Sequence, residues 1–549
     1  MKKWIGLKED NQNKYSEEFQ LSMFDLLIKN GNVINGSGKK RFISDIGISG
    51  EKISFIGDST GKESKETIDA NGLIVSPGFI DTHTHHDGVL LNNPQHASSL
   101  RQGVTTEILG QDGLSYAPLS SDNYKIQRKY LGGILGMPPE NLDMSTISAF
   151  RSNYHKKVSI NTAYPVSHGA LRIESVGFQD KPLTGKELEN SKSLLREGLE
   201  QGSIGLATGM SYHPNAWSDT EELIQLCKVV SEKNGVYITH LRDVNTDRGF
   251  GGGGVPEALE IGRRSGVRVH FSHTRTSAEN AGQVSKVLEL IDKAKDEGVD
   301  CTLELYPYPT GSSFLLSNLP SWAHEGGPNK ILERLKDKNS RSKIIKSFEL
   351  NKKRRMDHIL LSYLPNNPEL EGMTVSQLAE IRGLSMGDLI CDILFEQDLQ
   401  VGFWQIPPES IFTWRQISKD AIEFLSRPDY MIGSDSIRLG SVPHPRAYGT
   451  FPRFIGRFRR QFNNIISLEQ MIQRICNNPA KTFNLTGRGS LKEGYFADVV
   501  IFDESKIIDT ATYDDAKQFP VGIPYVIVNG NIAVKNEKCT GIFAGHAIP

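Results

Sequence analysis

The stretch Val75-Ser76-Pro77-Gly78-Phe79-Ile80-Asp81-Thr82-His83-Thr84-His85-His86-Asp87 decides how this chain is read. Alternation along a strand puts residues i and i+2 on one face, so a β-branched, apolar run ending in His83-Thr84-His85 presents two imidazoles side by side. Neutral imidazoles at that spacing can hold one divalent metal ion at the mouth of a parallel barrel, where strand C-termini carry the chemistry. Two solvated surface histidines are the alternative reading.

Outward from that run, strand-like and helix-like segments alternate, as a parallel (β/α) barrel requires. Strands are expected at 73–81, 104–109, 158–167, 204–208, 235–240, 267–273, 299–306 and 429–434. Segments such as 220–234, 255–265 and 282–297 repeat apolar residues every three or four positions and read as the intervening helices. The gap before the last strand exceeds an ordinary crossover, so an insertion of about residues 311–408 is expected over the strand C-termini. Short β-rich runs open the chain from Phe24 to Asp69, and a matching set closes it from Ala497 to Val534. Neither is apolar enough to form a sandwich alone, so both ends are expected to pair into one small β-domain. The expected division is a polar extension at 1–22, β-domain at 23–72 and 485–549, and a hydrolase barrel at 73–484.

A chain of 549 residues exceeds what one compact core usually accommodates, in keeping with a barrel plus an appended domain. Its 63 basic and 65 acidic residues create no net pull toward nucleic acid or anionic membrane. The basic runs 352–355 and 453–460 read as solvated helix faces. The five cysteines, Cys227, Cys301, Cys391, Cys476 and Cys539, form no Cys-x-x-Cys pair, which suggests reduced structural thiols. The first 22 residues lack an apolar core, and no stretch approaches ~18 apolar residues, so neither secretion nor membrane spanning is indicated and a cytoplasmic location is expected.

The other strand ends extend the metal constellation: His240 in Tyr237-Ile238-Thr239-His240, His273 in Phe271-Ser272-His273, and Asp435 in Gly433-Ser434-Asp435. One histidine after a buried strand is usually structural, but several in this strand order form a combined signal.

The His-x-His run after Pro77-Gly78 resembles the first-strand signature of the amidohydrolase superfamily. Gly205 to Tyr212, Tyr237 to Asp243, Leu305-Tyr306-Pro307-Tyr308, Pro443 to Pro452 and Gly494 to Asp498 narrow the likeness to the N-acyl-D-amino acid deacylases, or D-aminoacylases, from about Met23 to near the C-terminus. The resemblance implies a (β/α)8 TIM-type barrel with a small β-sandwich domain formed by both termini. It implies metal-dependent hydrolysis of the amide of a small N-acyl-D-amino acid, giving a carboxylate and a free D-amino acid. One or two Zn²⁺ ions would be held by His83, His85, Asp112, His240, His273 and Asp435, with Asp435 also moving the proton. A bound metal lowers the pKa of water from ~15.7 toward ~7, which an unactivated amide demands.

The chain departs from the family pattern after the second strand. Gly110-Gln111-Asp112-Gly113 stands where the family usually has a Cys ligand, so Asp112 is the matched position. A carboxylate is harder than a thiolate, which admits another divalent metal, and Glu107 competes for the role. Asp112 as a simple turn residue is the other reading. His86 stands where the family commonly has an acid, and its side chain is expected to turn away from His83 and His85. The fourth strand offers no lysine for carboxylation, which argues against cyclic-amide hydrolysis. By resemblance Tyr212, Arg275, Tyr306 and Ser312 receive the substrate, Arg275 supplying bidentate charge for a carboxylate. Arg242 and Arg446 can equally stabilise loops, and His168, His213, His270 and His444 read as structural hydrogen-bonding residues. Alternatives are another acyclic amide, such as a D-residue dipeptide, or an inactive barrel serving assembly; a homo-oligomer is compatible with either.

Overall fold

A computed structural model describes residues 23–244, 246–350, 355–462 and 465–549. The N-terminal extension and the basic residues 352–354 lie outside the described residues. The barrel strands are Phe79–Asp81, Val104–Ile108, Asn161–Ala163 continued by Val166–Ser167, Gly205–Gly209, Val236–His240, Arg268–Phe271, Cys301–Leu305 and Tyr430–Ile432. All neighbouring pairs are parallel. The ring closes where Thr82 N–H donates to Ile432 O at 3.2 Å and Thr84 bridges Ser436.

Two strands depart from their expected continuity. The first is divided at Gly78: Ile74–Pro77 belongs to the outer sheet, and Phe79–Asp81 to the barrel. A Cβ at Gly78 would lie 2.0 Å from Thr105 Oγ1, so only glycine lets the chain cross between layers here. The third strand is broken between Ala163 and Val166, where Pro165 has no N–H to give to a ladder.

The two chain ends form one nine-stranded sheet, in which Val499–Phe502 pairs antiparallel with Ile74–Pro77. Leu26, Ile28, Ile46, Ile48, Val499 and Ile527 bury one another in its core. Between barrel strands seven and eight, Ser312–Phe314, Ile359–Tyr363 and Gly402–Gln405 form a separate three-stranded antiparallel sheet accompanied by short helices. Beneath the barrel, Ile548 packs with Ile80, Ile108, Ala163 and Ile238. Among the described residues, no helix is long and apolar enough to cross a membrane.

The arginines of 453–460 do not form the solvated face expected of them. Arg453 and Arg457 reach the same Asp509 carboxylate at 2.8 and 2.7 Å, and Arg459 reaches Glu504 at 2.8 Å. They join the last barrel segment to the C-terminal sheet region.

Asp498, which closes the Gly494-to-Asp498 motif, performs a similar task at the other side. Its carboxylate pairs with buried Arg488 and accepts from Asn529 N–H at 2.9 Å and from Asn161 Nδ2 of barrel strand three at 3.1 Å. Removing one partner of a buried pair leaves an uncompensated charge, at about 3–5 kcal/mol. Asp498→Ala should therefore lower the urea midpoint by an amount matching that loss; an unchanged midpoint would show that the β-domain and barrel do not depend on this contact.

Candidate active site

Each of the six expected metal-site residues sits at or just beyond a barrel strand C-terminus. His83 and His85 follow strand one, Asp112 strand two, His240 ends strand five, His273 follows strand six and Asp435 strand eight. They converge. His83 Nε2 lies 3.5 Å from Asp112 Oδ1 and 3.7 Å from Asp435 Oδ1. His85 Nε2 is 3.2 Å from Asp435 Oδ1 and 3.6 Å from Asp112 Oδ2. His240 Nδ1 is 3.5 Å from Asp112 Oδ2 and 2.9 Å from His273 Nε2.

Two overlapping sets have mutual ligand-atom distances within 4.8 Å: His83, His85 and Asp435, and His83, Asp112 and His273. The donor chemistry fits a divalent cation. His83 Nε2 and Asp112 Oδ1 are buried without a hydrogen-bond partner among the described residues, yet face one another across the gap. An unpaired buried polar atom costs about 1–3 kcal/mol, and two aimed at one point call for a shared partner. Electrostatics agree. Burial pushes the Asp112 carboxyl up, but the imidazoles of His83 and His240 outweigh it and hold it well below the usual carboxylate range. Burial and neighbouring His240 push His273 down to about 3, leaving a neutral imidazole.

The backbone is unusual at the same place. Asp112, His273 and Asp435 have φ values of 58°, 35° and 50°, in the left-handed region. Such conformations cost an L-residue about 1–3 kcal/mol and persist where surroundings over-determine them. The cause at Asp112 is visible: a Cβ at Gly209 would lie 2.2 Å from Asp112 O, so the turn is pressed against strand four.

Glu107 is placed elsewhere. Its two oxygens contact His86 Nδ1 at 3.0 Å and His96 Nε2 at 2.8 Å, and its acidity is raised by those imidazoles against the opposing effect of burial. His86 turns away from the cluster as expected and contacts Ser436 Oγ through Nε2 at 3.0 Å. It thereby ties strand one to the loop carrying Asp435.

The substrate-site expectations are brought together beside the cluster. Tyr212 packs on His240 with ring centroids 4.9 Å apart. Arg275 Nη2 donates to Tyr306 Oη at 2.8 Å, and the guanidiniums of Arg275 and Arg446 lie 4.4 and 4.7 Å from the Tyr306 ring centroid. Arg446 proves central rather than peripheral: it donates to Asp435 Oδ2 at 2.8 Å and to the Ser312 carbonyl at 3.1 Å. Ser312 Oγ is buried and has no partner among the described residues. Arg242 instead pairs with Glu257 at 2.8 Å and holds two loop carbonyls. His168 contacts Asn215 and Glu222, and the ring of His444 accepts from Arg446 N–H, both structural contacts.

Ser211 and Glu304 were not singled out from sequence. Ser211 Oγ contacts His240 Nε2 at 2.8 Å, and Glu304 lies behind His83. A carboxylate inside the apolar strand Cys301-Thr302-Leu303-Glu304-Leu305 was the available signal for the second, because an acid there needs a buried partner.

A parallel barrel with imidazoles and carboxylates converging at its strand ends is the architecture of a metal-dependent hydrolase. Residues 66–534 match the amidohydrolase family, and the chain belongs to that family, in its D-aminoacylase group. It is 30% identical over 539 residues to a D-aminoacylase of Alcaligenes xylosoxydans xylosoxydans, covering 96% of this chain and 97% of that one. It is also 30% identical to an N-acyl-D-aspartate deacylase of the same organism, covering 94% and 93%. The solved structure of N-acyl-D-glutamate deacylase from Bordetella bronchiseptica, complexed with zinc and a phosphonate mimic of the tetrahedral intermediate, superposes with a TM-score of 0.79 at 27% identity. That superposition covers 96% of this chain and 99% of the other.

The two carboxylates after the second strand are separable by experiment. Asp112→Ala should lose metal and activity together, and Asp112→Cys should recover Zn²⁺ because a thiolate is a strong Zn²⁺ ligand. Glu107→Ala should lower stability while keeping metal content. If metal analysis instead finds Glu107→Ala depleted and Asp112→Ala replete, the assignment is reversed.

Proposed function

We propose that this protein hydrolyses the amide bond of N-acyl-D-amino acids, releasing a carboxylate and a free D-amino acid, with His83, His85, Asp112, His240, His273 and Asp435 holding one or two Zn²⁺ ions. The observation that carries the reading is the gathering of the Arg275 and Arg446 guanidiniums at Tyr306, with Arg446 hydrogen-bonded to Asp435. Two cations beside a hydrolytic centre suit a substrate whose free carboxylate lies one carbon from the scissile amide. The names of the similar proteins support the same substrate class.

When bound, the ion polarises the scissile carbonyl and makes water nucleophilic at neutral pH. The chain's own groups do the rest. Arg275, its guanidinium fixed by Tyr306 Oη and the Thr276 and Pro309 carbonyls, supplies the charge for the α-carboxylate. Ser312 Oγ, without a hydrogen-bond partner among the described residues, offers a further donor to the same carboxylate. Tyr212, packed on His240, closes the opposite wall against bulk water. Asp435 accepts a proton from the attacking water at Oδ1 and delivers it to the departing amine nitrogen. Arg446 on its other oxygen keeps the carboxylate ionised, overcoming the effect of burial.

We also assign a barrel within residues 73–484, with its insertion at about 311–408, and a β-domain drawn from 23–72 with 485–549; pairing of Val499–Phe502 with Ile74–Pro77 supports a β-domain built from both ends and carries its first boundary on to Gly78. Five free cysteines, four of them buried, support a reducing compartment such as the cytoplasm.

Three fixed points on the substrate, the carboxylate, the carbonyl and the side chain, define its handedness. Inversion at Cα exchanges hydrogen and side chain, and ~1 Å of misplacement costs ~10²-fold in rate. A panel of paired N-acetyl-D- and N-acetyl-L-amino acids and D-residue dipeptides should therefore show kcat/KM favouring D by about that factor. Equal values for the enantiomers would defeat the proposal, and turnover confined to dipeptides would move the substrate class.

Asp435→Asn removes the proton acceptor with almost no change in shape. It should retain metal and lose ~10²–10⁴-fold in kcat. Near-wild-type turnover by a metal-replete variant would remove Asp435 from proton transfer.

A further inference from the structure

Glu304 lies inside the barrel on the seventh strand, fully buried, with no part in substrate contact. Its Oε1 is 2.5 Å from His83 Nδ1. Its Oε2 accepts from Thr82 Oγ1 and lies 3.1 Å from His270 Nε2, whose other ring nitrogen contacts Thr302 Oγ1 at 2.8 Å. One carboxylate thus gathers groups from strands one, six and seven. Strand eight makes room for it: a Cβ at Gly433 would lie 2.5 Å from Glu304 Oε2 and 2.6 Å from His83 Cβ.

We propose that Glu304 is a positioning residue that holds the Nδ1 edge of His83 and so aims its Nε2 at the centre. This rests on the metal-dependent reading above and adds a residue to it. The carboxylate accepts only, so the Nδ1 facing it must carry hydrogen. With that edge held by Glu304, Nε2 is the nitrogen left to meet a cation, and it lies without a hydrogen-bond partner among the described residues, 3.5 Å from Asp112 Oδ1 and 3.7 Å from Asp435 Oδ1. Negative charge behind an imidazole also raises its basicity toward a cation.

His240 and His85 have no carboxylate at the ring nitrogen facing away from the centre among the described residues. Behind His240 stands the neutral hydroxyl of Ser211, at 2.8 Å from Nε2. His85 Nδ1 is buried without a partner among the described residues. His83 is also the member common to both ligand-atom sets, so its donor strength bears on each.

The test uses the full-length protein, stripped of metal and reloaded with Zn²⁺ alone. Glu304→Gln preserves size and removes the charge; losing such an outer partner typically costs 10–100-fold in metal affinity. Competition with a chromophoric chelator should show that loss for Glu304→Gln, a smaller one for Glu304→Asp, and the smallest for Ser211→Ala. The visible spectrum of the Co²⁺-loaded protein should shift in Glu304→Gln, reporting altered ligand strength rather than stability. Thermal melting of the metal-free proteins separates the two causes. Zn²⁺ affinity within twofold of wild type would overturn the proposal, as would an unchanged Co²⁺ spectrum. If Glu304→Gln does not fold, the same two measurements on Glu304→Asp decide. Failure of the wild-type chain to bind Zn²⁺ would instead remove the metal-dependent reading itself.

Discussion

The repulsion among buried groups at the barrel mouth is the constraint on which the rest depends. Asp112 and Asp435 point at a gap enclosed by four imidazoles, almost out of contact with solvent. Carboxylates in such surroundings are costly unless paired. The chain pairs them in two ways. Arg446 takes one oxygen of Asp435, and in the proposed reading a divalent cation would meet His83 Nε2 and Asp112 Oδ1, which have no partner among the described residues. The second layer follows from the first: His86, His96 and Glu107 tie the Asp435 loop to strands one and two, and Glu304 backs His83 from within.

Strand positions were legible because parallel barrel strands are continuously apolar and end at residues chemistry selects. All eight were recognisable from runs such as Val236-Tyr237-Ile238-Thr239-His240. The breaks were less visible, because Gly78 and Pro165 act through neighbours distant in sequence: Thr105 under one, and the missing ladder bond at the other. The convergence of His83, His85, His240, His273 and Asp435 was likewise expected from strand order, whereas Asp112 was placed only by resemblance, with Glu107 as its competitor. Arg446 was undervalued because it lies eleven residues beyond Asp435 in sequence, and only the loop after strand eight folds it back onto that carboxylate.

Charge patterning misled where the partners were remote. The arginines at 453–460 look like a solvated run, yet Asp509 and Glu504, some fifty residues downstream, gather them into the boundary between barrel and sheet. Local composition reports the sign of a face, whereas burial depends on what the rest of the chain lays over it. Glu107 and Asp112 pose the same difficulty at short range. Both are acids near one strand end, and strand alternation alone does not say that one meets two histidines behind the strand while the other caps the mouth.

The left-handed backbone at Asp112, His273 and Asp435 has an effect on the life of the molecule outside its reaction. Three residues are held against their own conformational preference, one of them by a turn pressed onto strand four. A cation bound by these loops in the proposed reading would favour the folded chain over locally opened forms, so metal supply would bear on the lifetime of each copy as well as on its turnover.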